Sequence, residues 1–343
     1  MTMAAYILLV FVGTALVWKG SGLLETAAER LAVHYRLPEV VQGAVVVAVG
    51  SSFPELSTTV ISTLVHGQFE LGVAAIVGSA IFNILVIPGL AGVVGGTQLQ
   101  ANRDLVYKEA QFYMLAVAVL LVTFALATIY HPARDPAGSE AIVGTLTRPL
   151  AVIPIAMYGL YVFVQWQDTM DHEGSEPDVA VSPGREWLRL GLSLALIVAG
   201  VEALVVAAIG FGERLGTPSF LWGITVLAAA TSIPDAFVSV RAARRGKAVT
   251  SLANVLGSNI FDLLVCIPVG VLIAGTALID FSLAVPMMAA LTVATLVLFL
   301  AMRTEMRLSV REAWLLLAMY VGFVVWVSLE STAVIDTVPH FPR

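Results

Sequence analysis

The chain is poor in what soluble proteins use. Only 12% of its 343 residues are charged, and it has one cysteine and five histidines. An ordinary globular domain carries about 25% charged residues. Such scarcity excludes a charged solvent-facing shell, and with it a soluble enzyme, a nucleic-acid binder and a disordered protein. One cysteine excludes an intramolecular disulfide, and Cys266 lies in an apolar run, where a buried, inert thiol is expected. The N-terminus has no basic residue ahead of its first apolar run and no small-residue cleavage site, so that run reads as a membrane helix and not as a signal peptide.

Apolar residues make up 59% of the chain, with a mean hydropathy of +0.92. At about 20 residues per crossing, this length accommodates some ten spans. Apolar segments run over 4–33, 39–65, 71–95, 105–130, 147–166, 187–212, 219–241, 250–274, 281–302 and 310–329. The expected protein is therefore all-α and polytopic, with ten transmembrane helices. The longest polar stretch, 167–186, divides them five and five. The halves are 1–166 and 187–343, joined by an acidic linker holding Asp168, Asp171, Glu173, Glu176 and Asp178. That linker lacks the glycine-punctuated spacing of a calcium loop and reads as a solvated connection.

Basic residues are unevenly distributed between alternate connections. Arg30, Arg36, Arg103, Lys108, Arg185, Arg189, Arg241, Arg244, Arg245, Lys247, Arg303, Arg307 and Arg311 fall on one side; Arg134, Arg148, Arg214 and Arg343 fall on the other. By the positive-inside rule the linker faces the cytoplasm of the plasma (inner) membrane and both termini face out.

An internal repeat organises the halves. VVAVGSSFPELSTTVIS at 46–62 matches VLAAATSIPDAFVSVRA at 226–242, and VGSAIFNILV at 77–86 matches LGSNIFDLLV at 256–265. Five helices per half make the copies enter from opposite faces, so the repeat is inverted. Each copy sets an acid, Glu55 or Asp235, after a hydroxyl pair and a proline, in mid-helix. The hydroxyl pairs are Ser51–Ser52 and Thr231–Ser232. Proline lacks the amide donor, so a carbonyl upstream loses its helical partner, and broken helices near the midplane are expected. The second motif adds Ser79 with Asn83, and Ser258 with Asp262, each pair four apart on one helix face. Every one of these groups offers oxygen. Calcium takes six to eight oxygens at about 2.3–2.6 Å, and three carboxylates neutralise one Ca²⁺ or two to three Na⁺.

GSSFPELS with IVGSAIFN, and ATSIPDAFVS with VLGSNIFD, resemble the two alpha-repeats of the cation/calcium exchanger superfamily. The resemblance implies that Glu55 and Asp235 are the calcium-site acids. It implies also that Ser51, Ser52, Ser79, Asn83, Thr231, Ser232, Ser258 and Asp262 are sodium-site or shared ligands. Asp262 is similar to the acid of potassium-dependent members, though archaeal sodium/calcium members carry one there too, so K⁺ dependence stays open. The Gly-Asn-x-x-Glu pattern of proton/calcium members is absent, and about 20 linker residues leave no room for a large regulatory domain.

The expected activity is secondary antiport of Na⁺ for Ca²⁺ by alternating access, without enzymatic chemistry and without a cofactor beyond the transported ions. Partners are the ions and the bilayer; nucleic acid is excluded and no protein partner is implied. Proton-coupled Ca²⁺ exchange is the alternative within the class, and a calcium-permeable channel or membrane sensor the alternative outside it. Glu202, in the sixth helix, has no acidic counterpart at Gly22 and is a candidate for gating. His66 reads as a solvent-facing loop residue.

Overall fold

The computed structural model describes residues 1–35, 48–94, 99–100, 104–134, 140–169, 182–245, 248–303 and 306–342. Most of the acidic linker, together with Arg36, Arg103, Lys247 and Arg343, lies outside them. Hydrocarbon offers a peptide group no hydrogen-bond partner, so a spanning chain must satisfy its own backbone, and here it does so as helices. They are α1 (Met3–His34), α2 (Ala48–Ser51), α3 (Phe53–Leu64), α4 (Phe69–Val94), α5 (Ala110–Tyr130), α6 (Arg148–Thr169), α7 (Pro183–Leu215), α8 (Ser219–Trp222), α9 (Ala228–Arg244), α10 (Ala248–Phe261), α11 (Ile267–Ala274), α12 (Phe281–Arg303) and α13 (Val310–Ser331). Wide π-turns at Asp104–Glu109, Gly223–Leu227 and Asp262–Cys266 lead into α5, join α8 to α9, and join α10 to α11.

Among the described residues nine helical spans are long and apolar enough to cross a membrane. The interrupted α2–α3 is the tenth helix. All ten expected segments are represented among the described residues, nine of them within a few residues of their expected bounds; 39–47 of the second segment lies outside the described residues. Ends are set by local chemistry. Ser309 and Glu312 cap α13 reciprocally, and Gly216, at φ 64°, closes α7 in the left-handed region.

The inverted repeat is written into the contacts. Residues related by the repeat lie 179 or 180 apart, and contacts recur at related positions. An added Cβ on Gly13 would meet the Gly200 carbonyl at 2.8 Å, while one on Gly20 would meet the Ser193 carbonyl at 3.1 Å; 13 corresponds to 193 and 20 to 200. Only hydrogen side chains let α1 and α7 approach this closely.

Short strands, absent from the all-α expectation, follow the repeat by connection, though not by the residue offset. β1 (Leu99–Gln100) pairs antiparallel with β5 (Arg307–Leu308); β3 (Val143–Thr147) pairs antiparallel with β2 (Pro132–Ala133) and with β4 (Thr276–Asp280). The first ladder joins the α4–α5 and α12–α13 connections, and the second joins α11–α12 to α5–α6. They are repeat mates, and they satisfy the backbone of loops at opposite ends of the bundle.

Apolar packing falls into two main bodies. The larger core is built from α4, α5 and α10–α13. A second cluster seats α1 and α7, through Val17, Leu24, Ile197, Val201, Leu204, Val205 and Ala208, on Ile61, Leu71, Ala75, Leu227 and Ala230. Beyond α13 the chain folds back: the buried Glu330 carboxylate accepts from the Thr337 and Val338 amides, and Phe341 packs edge-on to Phe220 of α8.

Candidate cation site

The interruption expected at each repeat takes two forms. In the first copy the helix stops at Ser51, Ser52 forms a one-residue turn, and α3 restarts at Phe53 with Pro54 in its first turn, where a missing amide costs nothing. In the second copy α9 runs unbroken through Thr231, Ser232 and Asp235, with Pro234 inside it, and the irregularity is displaced upstream to the π-turn at 223–227. Pro234 still removes the amide that would have bonded the Ala230 carbonyl. A second π-turn begins at Asp262 itself. Such widened turns recur at functional sites because they re-aim side chains and loosen the backbone ladder.

These elements bring the two copies face to face. The Ser79 hydroxyl lies 2.7 Å from that of Ser232 and donates to Glu55 Oε1 at 3.3 Å. In the mate of the serine pair, Ser52 Oγ donates to the Ser258 carbonyl at 3.4 Å. Thr231 Oγ1 lies within reach of the Leu227 and Ala228 carbonyls of its own helix, at 3.3 and 3.2 Å. Gly78 lets α4 settle against the Ile224 carbonyl of the π-turn, putting Ser79 at the seam. Ser51, Ser52, Glu55, Ser79, Asn83, Thr231, Ser232, Ser258 and Asp262 are all buried.

Asp235 stands apart from this close group. It is half-buried, on the turn of α9 that follows Pro234. Among the described residues no three acid, histidine or cysteine side chains gather tightly enough to hold a metal ion by themselves. The seam is instead a mixed one, of hydroxyl, amide, carbonyl and carboxylate oxygens. Two of its oxygens, Glu55 Oε2 and Asn83 Oδ1, are buried without a hydrogen-bond partner. A buried acceptor left in this way costs about 1–3 kcal/mol, more when charged, and a bound cation would satisfy it. Hard-cation coordination fits this donor set.

Three contacts fall outside the sequence reasoning. Asn83 Nδ2 donates to Asn259 Oδ1 at 2.9 Å, and Asn259 occupies the motif position held by Ala80 in the first copy, so comparing the copies gave no weight to it. Cys266, buried as expected, is not isolated: its thiol points to Asp262 Oδ1 at 3.6 Å, one turn away. His66 is not solvent-facing, because it pairs with Glu202 across to α7.

Known proteins carry the same architecture. The chain is 26% identical over 350 residues to the sodium/calcium exchanger MaX1 of Methanosarcina acetivorans, covering 93% of this chain and 97% of that one. The fold is similar to that of the sodium–calcium exchanger NCX_Mj soaked with 2.5 mM Na⁺ and 10 mM Sr²⁺, with a TM-score of 0.64, 23% identity and coverage of 94% and 99% of the two chains. It is similar also to the H⁺/Ca²⁺ exchanger CAX, with a TM-score of 0.72, 14% identity and coverage of 93% and 82%. The sodium/calcium exchanger protein family profile matches residues 5–167 and 186–329, both halves of the bundle and both copies of the motif. With an oxygen-lined seam between inverted five-helix halves and that match across them, the chain belongs to the sodium/calcium exchanger protein family, cation transporters of the membrane and not enzymes.

Proposed function

We propose that the protein is a secondary antiporter that exchanges Na⁺ for Ca²⁺ at the seam between its repeats. Glu55 and Asp235 serve as the calcium-site acids, with Asp262, Asn83, Ser51, Ser52, Ser79, Thr231, Ser232 and Ser258 as shared or sodium ligands. The carrying observation is the pair of buried, unpartnered oxygens, Glu55 Oε2 and Asn83 Oδ1, at a seam where no basic residue is buried among the described residues. Carboxylates at bilayer depth are expensive unless a cation neutralises them. When either two to three Na⁺ or one Ca²⁺ serves, the ions compete for one set of ligands, and exchange follows.

The movement we propose is α1 and α7 sliding as a pair across the core. They share close glycine contacts with each other, and their apolar cluster is separate from the main one. In this reading residues 1–166 and 187–343 are the two halves, the 167–186 linker is cytoplasmic, and both termini face out across a plasma or inner membrane.

A second reading, H⁺/Ca²⁺ exchange, is favoured by the fold likeness to CAX and by the chemistry of midplane acids, which take up protons as well as metal ions. Proteoliposomes separate the two. Vesicles loaded with NaCl, KCl or choline chloride at fixed pH are assayed for radioactive Ca²⁺ uptake. Sodium-driven uptake is expected. Uptake driven by a proton gradient alone gives the second reading, and uptake indifferent to the internal cation would mean a channel.

A further inference from the structure

At the seam one candidate ligand, Asn83, has a side chain that ends half in oxygen and half in nitrogen. Asn83 is an amide, so a half-turn of its χ2 exchanges an acceptor for a donor. The hydrogen bonds around it determine which atom faces the ions. The Ala80 carbonyl only accepts, and Asn259 lies 3.3 Å from it, so the Asn259 atom there must be Nδ2. The same nitrogen lies 3.4 Å from the Tyr113 hydroxyl. Oδ1 of Asn259 is thereby turned toward Asn83, which must answer with its own Nδ2, at 2.9 Å. Asn83 Oδ1 is left over, buried and unpartnered. It belongs to the helix face of Ser79, whose hydroxyl donates to Glu55. A backbone carbonyl thus fixes, through two amides, which atom of Asn83 is available to a cation.

The repeat supplies independent support. Under the 179-residue relation Asn83 corresponds to Asp262, and Asn259 to Ala80. The mate of the Asn83–Asn259 contact is therefore Asp262 opposite Ala80. A carboxylate has two equivalent acceptors and needs no orienting partner; opposite it stands alanine. An amide needs one; opposite it stands asparagine.

We infer that Asn259 is a positioning residue, holding the Asn83 amide with its oxygen toward the transported cation and its nitrogen away. The inference rests on the exchanger reading of this seam. Without Asn259 the Asn83 NH₂ is free to turn to the neighbouring carboxylates, and a cation must undo that charge-assisted hydrogen bond before it can bind. Bonds of that kind convert to a loss of about tenfold or more in affinity.

The test is a double-mutant cycle on purified protein, read by equilibrium binding of radioactive Ca²⁺ and by Na⁺-driven Ca²⁺ uptake. Asn259→Ala in the wild-type background is expected to weaken Ca²⁺ binding about tenfold or more and to raise the Ca²⁺ concentration for half-maximal uptake in step, with maximal uptake within about twofold. In an Asn83→Asp background the same change is expected to cost less than about twofold, because that double variant reproduces at 83 and 259 the acid–alanine pairing that 262 and 80 already have. Tyr113→Phe, which leaves Asn259 bonded to the Ala80 carbonyl, is expected to stay within about twofold of wild type. An equal loss from Asn259→Ala in both backgrounds would mean mere structural support and overturn the inference; no loss in either would do the same. Wild-type protein that binds no Ca²⁺ would overturn the exchanger reading and the inference with it.

Discussion

His66 Nε2 lies 3.1 Å from Glu202 Oε2 and 3.2 Å from Oε1, fastening the turn between α3 and α4 to the middle of α7. The pair bridges the two bodies that the proposed movement separates. Glu202 is 41% exposed, so the contact is a partly wetted latch worth at most about 1 kcal/mol. His66→Phe is expected to quicken Na⁺-driven Ca²⁺ uptake by up to about fivefold, with equilibrium Ca²⁺ binding unchanged. An unaltered uptake rate would mean that the pair plays no part in the motion.

Glu55 and Asp235 carry the divalent charge in the proposed site. Glu55→Gln and Asp235→Asn are each expected to abolish Ca²⁺ uptake, since a neutral amide leaves the ion uncompensated in a low-dielectric seam. Neither change removes packing, so thermal unfolding of the purified variants is expected to match wild type. Wild-type uptake in either folded variant would break the site assignment.

Gly13 and Gly200 set the spacing of α1 and α7. Gly200→Val puts branched bulk against the Gly13 carbonyl, which already lies 2.8 Å from the position of a first added carbon. Overpacking of this kind costs about 1–3 kcal/mol. Lower thermal stability and slower exchange are expected, while Gly22→Ala, where an added carbon meets nothing within 4 Å, serves as the matched control. Equal behaviour of the two variants would remove the case for a close-packed pair.

Potassium dependence turns on Asp262, where the repeats differ in charge. Calcium alone leaves one carboxylate surplus, which a proton satisfies; K⁺ beside Ca²⁺ would balance all three. If the surplus is met by a proton, exchange is expected to ignore K⁺ in wild type and in Asp262→Asn alike. A K⁺ requirement in wild type that the variant lacks would establish co-transport instead.

Membrane orientation is open to thiol labelling, helped by the complete burial of the single native cysteine. Arg245→Cys is expected to react only from the cytoplasm, and Val334→Cys, at a residue 67% exposed, only from outside. The reverse pattern would invert the topology.

Helices were the legible part of this sequence, because hydrocarbon admits few alternatives to them and a run of apolar residues has one meaning there. The two repeated motifs were legible too, and the contacts of Ser79 with Ser232 and of Ser52 with the Ser258 carbonyl join the first motif of one copy to the second motif of the other. Three things were not legible. Asn259 lacks a counterpart, and searching for what recurs passes over what compensates. His66 and Glu202 lie 136 residues apart, so no local spacing connects them. Equal Ser-x-Pro-acid motifs led to equal breaks being expected, yet one copy breaks at Ser52 and the other widens into a π-turn at Gly223–Leu227, because proline specifies only a missing hydrogen bond and not how the helix absorbs the loss.

The unequal lengths of the helices make bilayer thickness a mechanical variable. At 32 and 33 residues, α1 and α7 measure about 48–50 Å, against about 33–35 Å for α12 and α13, while the hydrocarbon layer is about 30 Å. The shorter helices already match that layer. Excess length in the long pair is taken up by tilt or by reaching past the headgroups, so a thicker membrane stands this pair upright and a thinner one leans it over. Thickness therefore loads the two helices proposed to slide and spares the core that holds the ligands. Lipid chain length is expected to change how fast the protein turns over without changing how tightly it holds calcium.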